Sequence, residues 1–188
     1  MTSEPGLVNV ANVLTMVRIL LVPVFVVCMV AGGTFWRLAA LVAFCVASLT
    51  DVLDGRLARR RGLVTDFGKI ADPVADKALT GAALICLSAL GELPWWVTGV
   101  IMFREIGVTV LRFWVIRRGV IAASRGGKLK TLLQVIAICL YVLPESLRPP
   151  GAVCGLVMAA AVVVTVVTGV DYVQQAMRLR RSEPAPGG

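Results

Sequence analysis

Stretches of about twenty mostly apolar residues recur along almost the whole of this 188-residue chain. That length is what an α-helix needs to cross the hydrocarbon of a bilayer. Six such stretches are expected as spans, at 13–31, 35–53, 70–90, 94–116, 129–147 and 152–173. The breaks between them carry turn chemistry: Gly32-Gly33, Gly91 before Pro94, Gly126-Gly127, and Pro149-Pro150-Gly151. Hydrophobic residues make up 58% of the chain, yet its formal net charge is +8. A soluble core of this size cannot hide so much apolar surface, whereas lipid can. The fold class expected is therefore all-α, a polytopic membrane protein with six transmembrane helices.

Charge sets the expected orientation. Arg56, Arg59, Arg60, Arg61, Lys69 and Lys77 lie between or beside spans two and three. Arg117, Arg118, Arg125, Lys128 and Lys130 follow span four, and Arg178, Arg180 and Arg181 close the last helix. The other side offers Arg37 and Arg148. This asymmetry puts both termini and the charged loops in the cytoplasm. Trp36, Trp95 and Trp96 fall at the charge-poor ends, where interfacial anchors belong. No removable signal peptide is read at the start, so the first span is expected to be retained after a short surface segment. Residues 1–181 read as a single membrane domain and 182–188 as a disordered tail.

The chain has no histidine, so a metal site would use oxygen or sulfur ligands. The five cysteines lie in apolar runs without CxxC spacing and read as small core or lipid-facing residues, not as disulfides or ligands. Oxygen ligands are concentrated in one stretch, DVLDGRLARRRGLVTDFGKIADPVAD, from Asp51 to Asp76. Asp51 and Asp54 are three residues apart and Asp72 and Asp76 four apart, so each pair shares a helix face. A hairpin about Gly62 and Leu63 would set Asp51 level with Asp76 and Asp54 level with Asp72. Four converging carboxylates repel one another unless cations lie among them. One or two Mg²⁺ or Mn²⁺ ions suit an oxygen-only set, and two ions about 4 Å apart suit phosphoryl chemistry. The plainer alternative is an ion-pair network with Arg56, Arg59 and Arg60. Gly55, Ala58 and Gly68 are small where bulk would block a headgroup. Asp66 reads as an N-cap or first-turn residue, Pro73 as a residue that bends or starts the third helix, and Asp171 as the partner of a basic neighbour.

At these residues the chain resembles the CDP-alcohol phosphatidyltransferase family, whose signature is DxxDGxxAR, eight residues, then GxxxDxxxD. Asp51, Asp54, Gly55, Ala58, Arg59, Gly68, Asp72 and Asp76 match it without departure. The resemblance implies that Asp51, Asp54, Asp72 and Asp76 bind two divalent cations, with Asp76 also the catalytic base on an acceptor hydroxyl. It implies that Gly55, Ala58, Arg59 and Gly68 line the site for the CDP group. Further stretches, NVANVLTMVRILLVP, DPVADK, REIGVTVLR and GKLKTLLQ, are similar to the branch that moves a phosphatidyl group from CDP-diacylglycerol to glycerol 3-phosphate. Related acceptors, phosphatidylglycerol as in a cardiolipin synthase or an inositol phosphate, keep the chemistry and change the second substrate. A divalent-cation transporter would want acidic residues through the membrane depth, and none are spread that way here.

A phosphorylated acceptor also has a physical argument. Arg104 and Arg112 interrupt an apolar span, where a charge costs about 2.5–3.5 kcal/mol on insertion scales. They need anionic partners, and Glu105 can serve Arg104 structurally. Lys77, Arg104, Arg112, Arg118, Arg125, Lys128 and Lys130 are the candidates for an acceptor-phosphate patch. Thr15 and Arg18 on the first span are further candidates for substrate contact. The expected partners are thus CDP-diacylglycerol, glycerol 3-phosphate and membrane lipid, with a homodimer compatible and no nucleic acid. The expected location is a bacterial plasma membrane, with the active site facing the cytoplasm.

Overall fold

Helices form wherever the apolar runs predict them, and all but one of the expected glycine and proline breaks fall at their ends. The computed structural model describes residues 10–61, 66–115 and 125–181, with side chains for 13–50, 74–111 and 127–177. Six α-helices follow in order: α1 Val10–Ala31, α2 Gly33–Arg61, α3 Asp66–Ala89, α4 Trp95–Val115, α5 Arg125–Val142 and α6 Gly151–Arg181. No strand occurs among the described residues. The hairpin loop at Gly62 and Leu63, the segment before α1 and the tail 182–188 lie outside them.

Boundaries differ from the expected spans where local chemistry decides. The second and third helices run past the apolar zone into the charged segment, so α2 reaches Arg61 and α3 starts at Asp66. α3 passes through Pro73 without a break. Gly126-Gly127 does not form a turn: both residues lie in the first turn of α5, where glycine opposes fewer helical bonds than in an interior. At its other end α5 stops at Val142 and not at 147, because Pro144 lacks the N–H that another turn needs. A short 3-10 turn, Glu145–Leu147, follows.

The chain divides into two compact units. The first holds residues 1–93 and 138–149, the second 94–137 and 150–188. In the first, α1 packs on both α2 and α3. Ala40, Ala43 and Ala47 are buried on α2, and Ala75, Leu79, Ala83 and Leu87 repeat every four residues on α3. Small residues let helix backbones approach closely, which substitutes for a hydrophobic drive in lipid. Phe25 and Phe44 fill the gap between α1 and α2, with ring centroids 5.8 Å apart. In the second unit α4 packs against α6. Both units turn large apolar side chains outward, among them Leu20, Val27 and Val42 in the first and Phe103, Leu156 and Val163 in the second. Val13–Ala31, Gly33–Thr50 and Gly151–Met177 are each long and apolar enough to cross a membrane. The cysteines are free. Sγ atoms of Cys45 and Cys139 lie 3.7 Å apart.

Glu92 organises one end of the first unit. α3 closes with Gly91 at φ +75°. The Gly91 N–H bonds the Ser88 carbonyl at 3.1 Å and the Glu92 N–H the Leu87 carbonyl at 2.9 Å. This Schellman closure needs the left-handed conformation that glycine adopts without strain. It delivers Glu92 to two arginines. Arg37 of α2 pairs with it through both terminal nitrogens, and Arg148 Nη2 lies 2.7 Å from its Oε2. The same arginines hold the frayed end of α5: Arg37 donates to the Tyr141 carbonyl at 3.2 Å, and Arg148 to Tyr141 at 2.6 Å and Leu143 at 2.9 Å. The three side chains are 14–18% exposed. The two basic residues expected on the charge-poor side are thus joined by one carboxylate.

Removing that carboxylate's charge leaves two arginines facing each other. Glu92→Gln is expected to lower thermal stability in detergent by about 2–3 kcal/mol. Glu145→Gln, on an exposed side chain nearby, is expected to stay within about 0.5 kcal/mol. Thermal melts of both variants against the parent chain check this, and equal melting temperatures for all three would show the cluster to be ornamental.

Candidate functional site

The signature residues occupy the facing ends of two consecutive helices. α2 carries Asp51, Asp54, Gly55, Ala58 and Arg59 in its last three turns, and α3 carries Gly68, Asp72, Asp76 and Lys77 in its first three. Asp51 stands ten residues before the end of α2 at Arg61, and Asp76 ten residues after the start of α3 at Asp66. Asp54 and Asp72 stand seven and six residues from the same ends. Both helices belong to the first unit and contact each other there. Four intervening residues join them, so the two aspartate pairs stand at matching helical distances from one connection. At 1.5 Å per residue, the paired positions are about 4.5 Å apart along the axis of α2 and about 6 Å apart along that of α3.

Side chains of Asp51, Asp54, Gly55, Ala58, Arg59, Gly68 and Asp72 lie outside the described residues. Asp76 is described: it is half-buried and engaged by a neighbour. Lys77 beside it is also half-buried. α1 contributes two polar residues to the same unit, Thr15 and Arg18, one helical turn apart and both fully buried. A guanidinium with no exposure on a helix that contacts both α2 and α3 is a stronger feature than its place in a long apolar run suggests. Sequence carries one sign of it, a charge that interrupts an otherwise apolar span.

The second unit holds a separate polar network. Arg104 of α4 donates from Nη1 to Glu105 Oε1 at 3.1 Å and from Nη2 to Thr168 Oγ1 of α6 at 3.0 Å. Lys130 of α5 pairs with that same Glu105 oxygen. Glu105 and Lys130 are buried, and Gln134 below them donates to the buried Thr165 Oγ1 at 3.1 Å. Two of the expected phosphate-binding cations, Arg104 and Lys130, are therefore brought together by a carboxylate. Lys128 is exposed and stands apart from this network. The side chains of Arg112 and Arg125, and all of Arg118, lie outside the described residues. Lys130 could not be paired with Glu105 from sequence, because that contact depends on how α5 is rotated against α4. Asp171 accepts from Gln175 one turn along α6, at 2.9 Å, and not from a basic residue among those described.

Comparison with known proteins agrees with the signature. The family model described as CDP-alcohol phosphatidyltransferase matches residues 8–167. A relative from Mycobacterium tuberculosis named "Probable phosphatidylglycerophosphate synthase" is 56% identical over 173 residues, covering 90% of this chain and 82% of the relative. The Bacillus subtilis protein named CDP-diacylglycerol–glycerol-3-phosphate 3-phosphatidyltransferase is 41% identical over 181 residues, covering 87% and 93% respectively. An Escherichia coli K12 protein of the same name is 39% identical over 136 residues, covering 69% and 74%. With the complete signature on two adjoining helices and a family match over most of its length, this chain belongs to the CDP-alcohol phosphatidyltransferase family.

Proposed function

We propose that this chain transfers the phosphatidyl group of CDP-diacylglycerol to glycerol 3-phosphate, forming phosphatidylglycerophosphate and CMP. The observation that carries the reading is the intact signature on α2 and α3, and relatives named for this reaction cover most of the chain.

The donor set fits a hard divalent cation: four carboxylates within four turns of one helix connection, in a chain without histidine. Asp51, Asp54, Asp72 and Asp76 would hold two Mg²⁺ or Mn²⁺ ions, which supply screening of the pyrophosphate and stabilisation of charge on the leaving CMP. Gly55, Ala58, Arg59 and Gly68 leave space and a cation for the nucleotide. Asp76 accepts the proton of the acceptor hydroxyl. The freed oxygen forms a bond to the diacylglycerol-side phosphorus as the bond from that phosphorus to the CMP oxygen breaks. Arg104, Arg112, Lys128 and Lys130, with Lys77, Arg118 and Arg125, supply positive charge for the acceptor phosphate. The meeting of half-buried Arg104 and buried Lys130 on one carboxylate in the second unit supports that role.

Six membrane spans with both termini cytoplasmic are part of the same proposal. Six helices of 18–31 residues support it, as does the fourteen-to-two split of basic residues between the two sides. The chain would then work in a bacterial plasma membrane, drawing its donor laterally from the lipid.

Purified protein given CDP-diacylglycerol and Mg²⁺ is expected to release CMP with glycerol 3-phosphate, and not with phosphatidylglycerol or an inositol phosphate. Release with another acceptor alone would overturn the acceptor. Chelation with EDTA should abolish release, and Mg²⁺ or Mn²⁺ should restore it; turnover undiminished by the chelator would remove the metal role. Asp76→Asn is expected to lower turnover by about 10²–10⁴-fold with the melting temperature retained. Near-parent turnover in that variant would exclude Asp76 as the base.

A further inference from the structure

Arg104 crosses α6 where α6 has no side chain. A methyl group placed on Gly169 would stand 2.9 Å from Cγ of Arg104, 3.4 Å from Nε and 3.8 Å from Cδ. Optimal carbon–carbon contact is about 3.5–4.0 Å, so the arginine stem lies where it does only because residue 169 is glycine. The preceding residue receives the end of the stem. Thr168 Oγ1 accepts from Nη2 at 3.0 Å while its own proton points to the Val164 carbonyl at 2.7 Å. That back-bond fixes the hydroxyl rotor, leaving a lone pair towards the guanidinium. Glu105 takes Nη1. Nε is enclosed and has no acceptor among the described residues.

Two unfavourable features meet in this arrangement. Glycine is a poorer helix former than alanine, and an enclosed donor without an acceptor is destabilising. Neither is required to pack a helix pair, since alanine at 169 with a shorter residue at 104 would satisfy both. A seat built at that cost serves the orientation of the guanidinium.

We propose that Gly169 and Thr168 are positioning residues for Arg104, holding its planar fork in the attitude from which it recognises the phosphate of the acceptor. This rests on the function proposed above. Neither residue touches the substrate; both act through the guanidinium.

The test uses the full chain in mixed lipid–detergent micelles with variants Gly169→Ala, Thr168→Val, Arg104→Ala, and Gly169→Ala combined with Arg104→Ala. Gly169→Ala and Thr168→Val are each expected to raise KM for glycerol 3-phosphate about tenfold, with KM for CDP-diacylglycerol moving less than about twofold. Once Arg104 is alanine, adding Gly169→Ala should change neither constant further. Melting temperature should fall for Gly169→Ala alone and rise when the same change is made beside Arg104→Ala, because the methyl then has room. Equal KM changes for both substrates, or additive penalties in the double variant, would overturn the proposal. So would reversal of the thermal sign without a selective KM change, since the seat would then be packing alone. Should Gly169→Ala not fold, Thr168→Val keeps the side-chain shape and decides the KM question. Absence of CMP release by the parent chain would remove the function proposed above. That result is separable, because the thermal cycle reads the Gly169–Arg104 contact without turnover.

Discussion

In hydrocarbon a backbone amide can bond only to its own chain, and the α-helix is the simplest way for a single segment to satisfy every one of its groups. That constraint governs what this molecule can use for chemistry. The apolar stretches of α1, α2 and α6 are committed to helix throughout. The signature is accordingly written in side chains, on helix turns that continue beyond the apolar zone of α2 and into the first half of α3. An α-helix places residues three and four apart on one face, and both aspartate pairs use that spacing. Regular secondary structure here is the means by which four aspartate positions stand at matching helical distances from one connection.

The same solvent makes each enclosed charge conspicuous. Arg18, Glu105 and Lys130 are all buried, and Arg104 nearly so. A lone ion in such surroundings is far costlier than a hydrogen-bonded pair. Each unit meets that demand with its own cluster. Arg37, Glu92 and Arg148 knit the first, with backbone carbonyls completing the arginines' bonds. Arg104, Glu105 and Lys130 knit the second, with threonines of α6 beneath them. The clusters share a plan of two cations on one carboxylate, but only the second contains residues expected to meet an anionic substrate.

Legibility from sequence followed the physics of each feature. Helix existence was readable at all six positions, because twenty-residue apolar runs bounded by glycine and proline have few other solutions. Ends were less readable. Gly126-Gly127 resembles a turn yet begins α5, and α5 yields to Pro144 five residues earlier than hydropathy suggests. Hydropathy averages over a window, while one missing N–H acts at a point. The aspartates were readable as a spacing pattern carried by local periodicity. The pairing of Lys130 with Glu105, the Glu92 cluster, and the seat at Gly169 were not, since each depends on the rotation of one helix against another. A glycine in the middle of an apolar helix looks the same in sequence whether it faces lipid or an arginine.

The Glu92 cluster fastens the start of α2 to the end of α3, leaving the aspartate-bearing ends on the far side of the same two helices. Arg37 and Asp51 are fourteen residues apart on α2, a lever arm of about 20 Å. A rocking of about 10° at the fastened end therefore displaces the far end by roughly 3–4 Å, close to the spacing of about 4 Å between paired ions in phosphoryl-transfer sites. Under the function proposed above, stiffness at this remote pivot would set the tolerance to which a metal site on the aspartate-bearing turns is held.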